Sequence, residues 1–160
     1  MIILGMDPGT ERVGYGIIQS SGGNAALVMA GVLEVPHNGD KAEVLEAIHA
    51  GIAKLCKEHR PDVFAIEKLF FSKNRKTALA VAEARGVMLM AAREAGIPIQ
   101  EYSPNEVKLA VTGYGGADKK AVLKMVRLIL QAPELEVIDD ASDALAIALA
   151  AGQNLGQKGS

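Results

Sequence analysis

Aromatic residues are scarce in this chain: there is no Trp, and only three Phe and three Tyr occur among 160 residues. A hydrophobic core must then be packed mainly from Ala, Val, Leu, Ile and Met, within a hydrophobic share of 49%. Cysteine is nearly absent as well. Cys56 has no partner for an intramolecular disulfide and no second thiolate with which to share a metal, and its helical spacing from Ile52 marks a small buried apolar residue. An excess of one charge is also lacking, since 17 basic and 19 acidic residues leave a net −2. That balance counts mildly against a nucleic-acid partner, so any DNA-binding surface has to come from local charge. No apolar run approaches the roughly 20 residues that span a bilayer. The opening Met-Ile-Ile-Leu-Gly-Met-Asp has neither the basic start nor the long apolar stretch of a signal peptide, so a cytoplasmic protein is expected.

What is present is a clear change of period. Apolar runs over 2–7, 13–19 and 25–35 are separated by Asp7-Pro8-Gly9-Thr10 and Ser20-Ser21-Gly22-Gly23-Asn24, which predicts three antiparallel strands joined by tight turns. From Asp40 the apolar positions Val44, Leu45, Ile48, Ile52, Leu55 and Cys56 recur at helical spacing, with Asp40 and Glu43 as a capping box and a stop before Pro61. The short apolar run 63–66 ending at Glu67 predicts a strand covered on both faces. A helix over 74–95 is apolar around much of its circumference, which implies the sheet on one side and a second subunit on the other. A brief strand over 97–102, a helix opened by Ser103-Pro104-Asn105-Glu106, a Gly-rich interruption at 112–116, a helix over 118–131 and a last helix from Asp139 or Asp140 to Gly152 complete the order. The expected class is α/β: a five-stranded mixed sheet with helices on both faces, as one domain over 1–152, followed by a flexible polar tail over 153–160.

Asp7 and Glu67 each close an apolar strand. A carboxylate there is ordinarily just the first polar residue of a loop. On parallel neighbouring strands about 4.8 Å apart, however, two of them could share a cation. Asp140 and Asp143 stand three apart on one helical face, and taken alone they read as residues favouring the positive end of a helix. Like charges on one turn repel unless a cation joins them. An all-oxygen set suits Mg²⁺ or Mn²⁺, and two such ions about 3.5–4 Å apart can clamp a phosphodiester for in-line hydrolysis. No Ser-His or Cys-His arrangement competes, and His37, His49 and His59 read as surface or helix-end residues.

Local charge supplies a substrate surface. The segment 68–76 carries Lys68, Lys73, Arg75 and Lys76 without an acid and holds Phe70 and Phe71, a combination able to bind phosphates and stack on an unpaired base. At least one of the two rings is expected to fold back into the core. A second basic group, Lys108, Lys119, Lys120, Lys124 and Arg127, flanks the Gly-rich stretch, although a solvated helix face has the same pattern.

The opening Ile-Leu-Gly-Met-Asp-Pro-Gly-Thr, Ile66-Glu67 with Phe70 and Lys73-Asn74, and Ala84-Arg85-Gly86-Val87 form one series. Tyr102-Ser103-Pro104 with Val107-Lys108, Thr112-Gly113-Tyr114-Gly115 with Asp118-Lys119, and the run Asp140-Ala141-Ser142-Asp143-Ala144-Leu145-Ala146 continue it. In this order and at these separations they resemble the RuvC family of bacterial Holliday junction resolvases along nearly the whole chain. The resemblance implies an RNase H-like fold and a homodimer that nicks two opposed strands of a four-way DNA junction symmetrically. It also implies a short T-rich cleavage site and work alongside the RuvA and RuvB branch-migration proteins. By the same resemblance Asp7, Glu67, Asp140 and Asp143 are the catalytic acids that bind Mg²⁺ or Mn²⁺, two ions per site. Phe70 is the residue that stacks at the junction centre, and Lys108 and Lys119 lie near the scissile phosphate.

Asp7-Pro8-Gly9-Thr10 is similar to the first phosphate motif of actin- and sugar-kinase-like ATPases, but those enclose their nucleotide with a second, comparable domain for which these 160 residues leave no room. A non-catalytic DNA-binding module would be marked by loss of one or more acids. An RNase H-like nuclease cutting RNA–DNA hybrids is the nearest competitor, because substrate choice depends on dimer geometry.

Overall fold

In the β2–β3 hairpin the turn chemistry decides the register. β2 (Val13–Ser21) and β3 (Asn24–Leu33) close through Gly22 and Gly23, whose φ of 56° and 85° place both in the left-handed region that a two-residue hairpin turn needs. Ser21 pairs with Asn24, and the ladder runs back to Val13 opposite Leu33, with one irregularity at Ile17/Ile18. The computed structural model describes residues 1–9, 11–69 and 75–158, the side chains of Arg75 and of 156–158 excepted. The remaining described elements are β1 (Ile2–Asp7), α1 (Lys41–His59), β4 (Val63–Glu67), α2 (Arg75–Glu94), β5 (Ile99–Tyr102), α3 (Pro104–Thr112), α4 (Lys119–Ile129) and α5 (Asp139–Lys158).

The five strands form one sheet in the order β3-β2-β1-β4-β5. β1 is antiparallel to β2 and parallel to β4, and β4 is parallel to β5, so the sheet is mixed as expected. Alternation along the strands splits the core in two. Leu4, Met6, Tyr15, Ile17, Phe64 and Ile66 pack under α1 and α2, together with Ile48, Ile52 and Met88. Ile3, Ile18, Val63, Ala65 and Tyr102 face α3, α4 and α5, against Val107, Val126, Leu145 and Leu149. Cys56 is buried in the first of these clusters, and burial pushes its thiol up to about 11.

The helix starts follow their caps. Asp40 with Glu43 and Ser103 with Glu106 form reciprocal capping boxes, Pro104 occupies the first turn of α3, and Asp118 caps α4 through the Ala121 N–H. The first strand after α2 begins at Ile99 rather than 97 because the Ile97 N–H is spent on the Ala92 carbonyl, closing α2 after Gly96 (φ 72°). The last helix does not stop at Gly152 but continues to Lys158, so most of the expected 153–160 tail is helical. Gly152 there is a close-packing residue: a Cβ on it would stand 3.2 Å from Ser20 Oγ and 3.4 Å from Ile3 Cδ1. Among the described residues no helix is long and apolar enough to cross a membrane.

Candidate active site

Asp7 and Glu67 owe their proximity to register. β1 and β4 run parallel with Met6 opposite Ile66, and Asp7 and Glu67 follow one residue on, at the carboxyl ends of these two central strands. Both lie on the face that carries Ile3, Val63 and Ala65, the face under α5.

Close approach of α5 brings the other two acids. Gly5, Gly14 and Gly16 line the track beneath it: an added Cβ would stand 2.2 Å from the Ala144 carbonyl oxygen, 2.0 Å from that of Asp140 and 2.8 Å from the Leu145 side chain, respectively. Larger residues at those positions would hold the helix off the strands. With glycine, the first turn of α5 settles over the end of β1, carrying Asp140 and Asp143 toward Asp7.

The four carboxylates feel one another. Asp7 is pushed up to about 7, chiefly by burial and then by the charges of Asp143, Glu67 and Asp140, with Lys119 opposing. Burial and Asp143 raise Glu67, while Lys108 and Lys119 pull it back. Asp143 is raised by burial despite the Lys119 ammonium 3.3 Å from its carboxylate, and Lys119 is raised in turn by Asp143. The cluster therefore carries negative charge that Lys119, with Lys108 beside Glu67, compensates only in part. Among the described residues no three His, Cys, Asp or Glu side chains are already drawn in tightly enough to hold an ion. The donors are all carboxylate oxygens, which fits a hard divalent cation such as Mg²⁺ or Mn²⁺ and not a soft one.

Beside the acids lies a cavity of about 290 Å³ whose walls include Glu67, Asp143, Lys108 and Lys119. Asp7 and Asp140, set over the β1–β2 side, do not line it. Lys108 and Lys119 line that cavity beside Glu67 and Asp143. Lys120 and Lys76 are exposed but outside this cavity, and Arg127 is spent on the Leu135 carbonyl through two bonds of 3.1 and 2.8 Å. Phe70, Phe71 and Lys73 lie outside the described residues, as does the side chain of Arg75. The structure adds Arg85, which donates from Nε to the Glu67 carbonyl at 2.9 Å. Its signal in the sequence is a lone cation between Ala84 and Met88, on the turn of α2 that packs against the sheet.

Comparison with known proteins agrees with this geometry. Residues 3–151 match the family model described as crossover junction endodeoxyribonuclease RuvC. The RuvC of Pelotomaculum thermopropionicum is 46% identical over 149 residues, covering 93% of this chain and 91% of the relative. That of Chloroflexus aggregans is 47% identical with the same coverage. The solved Thermus thermophilus RuvC superimposes with a TM-score of 0.92 at 34% identity, covering 99% of this chain and 97% of that one. A second structure of the same Thermus protein, in complex with a Holliday junction substrate, also superimposes at 0.92. The yeast mitochondrial Holliday junction resolvase Ydc2 shares the fold at 0.64 with 12% identity. The sheet order described above is that of the RNase H-like fold, and the chain belongs to the RuvC family of crossover junction endodeoxyribonucleases.

Proposed function

We propose that this chain resolves four-way DNA junctions as a homodimer, by hydrolysis at a divalent-metal site built from Asp7, Glu67, Asp140 and Asp143. The observation that carries the reading is the convergence of acids from three distant segments at the carboxyl ends of the central strands, where burial and their mutual repulsion lift Asp7 to about 7. Mg²⁺ or Mn²⁺, as two ions, would supply charge compensation and an activated water for in-line displacement at phosphorus.

The chain's own groups do the rest. Asp7 and Glu67 are fixed by paired strands and Asp140 and Asp143 by one helical turn, so the donor oxygens are held by rigid elements. Lys108 and Lys119, on the cavity wall, face the place where a phosphate would enter. Lys119 pairs with Asp143, and a cation held by Asp143 would compete for that carboxylate and free Lys119 toward the phosphate. Phe70 or Phe71 would stack at the junction centre, and Lys73, Arg75, Lys76 and Lys120 would meet the backbone. The outward side of α2, where Leu79 and Met90 are 71% and 58% exposed, supplies the dimer surface, and two symmetric sites can address two like strands. The proposed setting is the cytoplasm, with RuvA and RuvB as partners.

The test is incubation with Mg²⁺ and a mobile four-way junction beside linear duplex and RNA–DNA hybrid. Paired symmetric nicks in the junction alone are expected. Preferential cutting of the hybrid would overturn the substrate assignment while leaving a nuclease.

A further inference from the structure

The guanidinium of Arg85 is largely buried, its side chain only 13% exposed. Nε donates 2.9 Å to the main-chain carbonyl of Glu67, and the terminal nitrogen Nη2 pairs with the carboxylate of Glu101 on β5. Glu101 is the register partner of Ile66, the residue before Glu67. One planar group therefore spans the last residue of β4 and the neighbouring strand.

The other end of the same peptide is held too. The Lys68 N–H donates 2.8 Å to the Tyr102 carbonyl, so the Glu67–Lys68 peptide plane is pinned at its oxygen by Arg85 and at its nitrogen by β5. Fixing that plane fixes the backbone from which the Glu67 side chain departs, at the point where the strand would otherwise fray. The guanidinium binds the carbonyl and leaves the carboxylate alone. Glu67 keeps its oxygens as donors, and the cations that act on its charge are Lys108 and Lys119. An ammonium could balance Glu101, but it lacks the rigid fork that makes both contacts at once.

We propose that Arg85 is a positioning residue for the metal site: it locks the Glu67–Lys68 peptide and so aims the Glu67 carboxylate toward Asp7 and Asp143. This rests on the reading of Glu67 as a metal ligand. Partners that orient a ligand typically change metal affinity by about 10–100-fold.

The experiment is calorimetric titration of the folded, DNA-free protein with Mn²⁺, for wild type, Arg85→Ala, Arg85→Lys, Glu101→Gln and Glu67→Gln, beside the metal-free melting temperature of each. Arg85→Ala should weaken Mn²⁺ binding by about 10-fold or more, and Arg85→Lys by nearly as much. Glu101→Gln should cost less, since the bond to the Glu67 carbonyl survives. Arg85→Lys keeps the charge and the aliphatic stem, so it carries the test where the alanine variant is too unstable to titrate. A merely structural tie would lower melting temperatures and leave Mn²⁺ affinity unchanged; folded Arg85→Lys with wild-type affinity overturns the proposal. Undiminished affinity in Glu67→Gln would sink the ligand reading itself, a result distinct from failure of Arg85 alone.

Discussion

Gly14 lies directly beneath Asp140: a Cβ on Gly14 would stand 2.0 Å from the Asp140 carbonyl oxygen, and Gly14 is at the same time the register partner of Asp7. One missing methyl group thus sets the distance between the helix that carries two acids and the strand that carries a third. Gly14→Ala must push the first turn of α5 outward, because the obstructing atom is backbone. Overpacking of this kind costs about 1–3 kcal/mol, and a displacement near 1 Å at a reacting centre can cost roughly 100-fold in rate. The expected outcome is a folded protein with a lowered melting temperature and junction cleavage reduced by about 10- to 100-fold. Wild-type cleavage by Gly14→Ala would show that α5 can shift without consequence for the acids.

Asp7→Asn separates chemistry from folding. Cleavage of four-way junctions should be abolished while junction binding is retained. In metal-free protein the same change should stabilise the fold, for a reason fixed by the sign of the shift. Asp7 titrates near 7 in the folded chain against a usual 3.8, so between those values the unfolded chain has released a proton that the folded one still holds. The contribution of Asp7 to stability therefore falls as pH rises from about 4 to about 7 and stays low above that range. At about 1.4 kcal/mol per unit the effect is at most on the order of 4 kcal/mol, before relaxation of the other acids reduces it. Calorimetric melts in chelator should show Asp7→Asn above wild type at pH 8, with the gap narrowing toward pH 4. Equal melting temperatures at both pH values would remove the case for an uncompensated buried charge.

How much of this could be read in the chain depended on the kind of signal. The turn at Gly22-Gly23, the capping boxes at Asp40 and Ser103, and the strand-ending positions of Asp7 and Glu67 are local, and local chemistry determined them. The end of α5 was not local. Gly152 resembles a helix stop, but packing against Ser20 and Ile3 makes it a contact point inside a helix that runs on to Lys158. The strand after α2 starts two residues later than its apolar pattern, because the N–H of Ile97 serves the preceding helix. Arg85 and Arg127 carry the same charge in the sequence. Only the fold shows that both donate to main-chain carbonyls, Arg85 to that of Glu67 and Arg127 to that of Leu135, and that Arg85 also pairs with Glu101. The glycines of β1 and β2 are likewise ordinary residues until α5 is laid over them.

Phe70 sits three residues beyond Glu67, in a segment with Lys73 and Arg75 and no acid. A ring that stacks on an unpaired base contributes about 1–3 kcal/mol per base, and a wedge acting at the junction centre contributes it when the strands are bent into the site. Phe70→Ala should therefore slow cleavage by about 10-fold or more while changing junction affinity by less, measured under single-turnover conditions and by gel shift in Ca²⁺. The parallel variant Phe71→Ala distinguishes the two rings. Normal cutting by Phe70→Ala with a defect in Phe71→Ala would move the role one residue along.

The outward side of α2 makes the last prediction. Leu79, Ala82, Gly86 and Met90 follow one another at three- and four-residue spacing, so they share a face of the helix. The sheet takes Ala84, Met88, Ala91 and Ala92, and α1 is tied on by the Lys41–Glu83 ion pair and the His49–Glu94 hydrogen bond, which leaves Leu79 71% and Met90 58% exposed. A Cβ on Gly86 would meet nothing within 4 Å among the described residues, so space exists there for a second backbone to approach. Leu79→Glu or Met90→Glu places a carboxylate in that contact, and loss of one anchoring side chain at an interface costs about 2 kcal/mol or more, roughly 30-fold in dimer dissociation. Sedimentation should show monomer at concentrations where wild type is dimeric. On a plasmid-borne cruciform the monomer should give mainly nicked circles where wild type gives linear product, because coordinated cutting needs both sites on one junction. Mn²⁺ affinity should not change, since every acid of a site comes from a single chain. A variant that stays dimeric and linearises the cruciform would place the interface elsewhere than on α2.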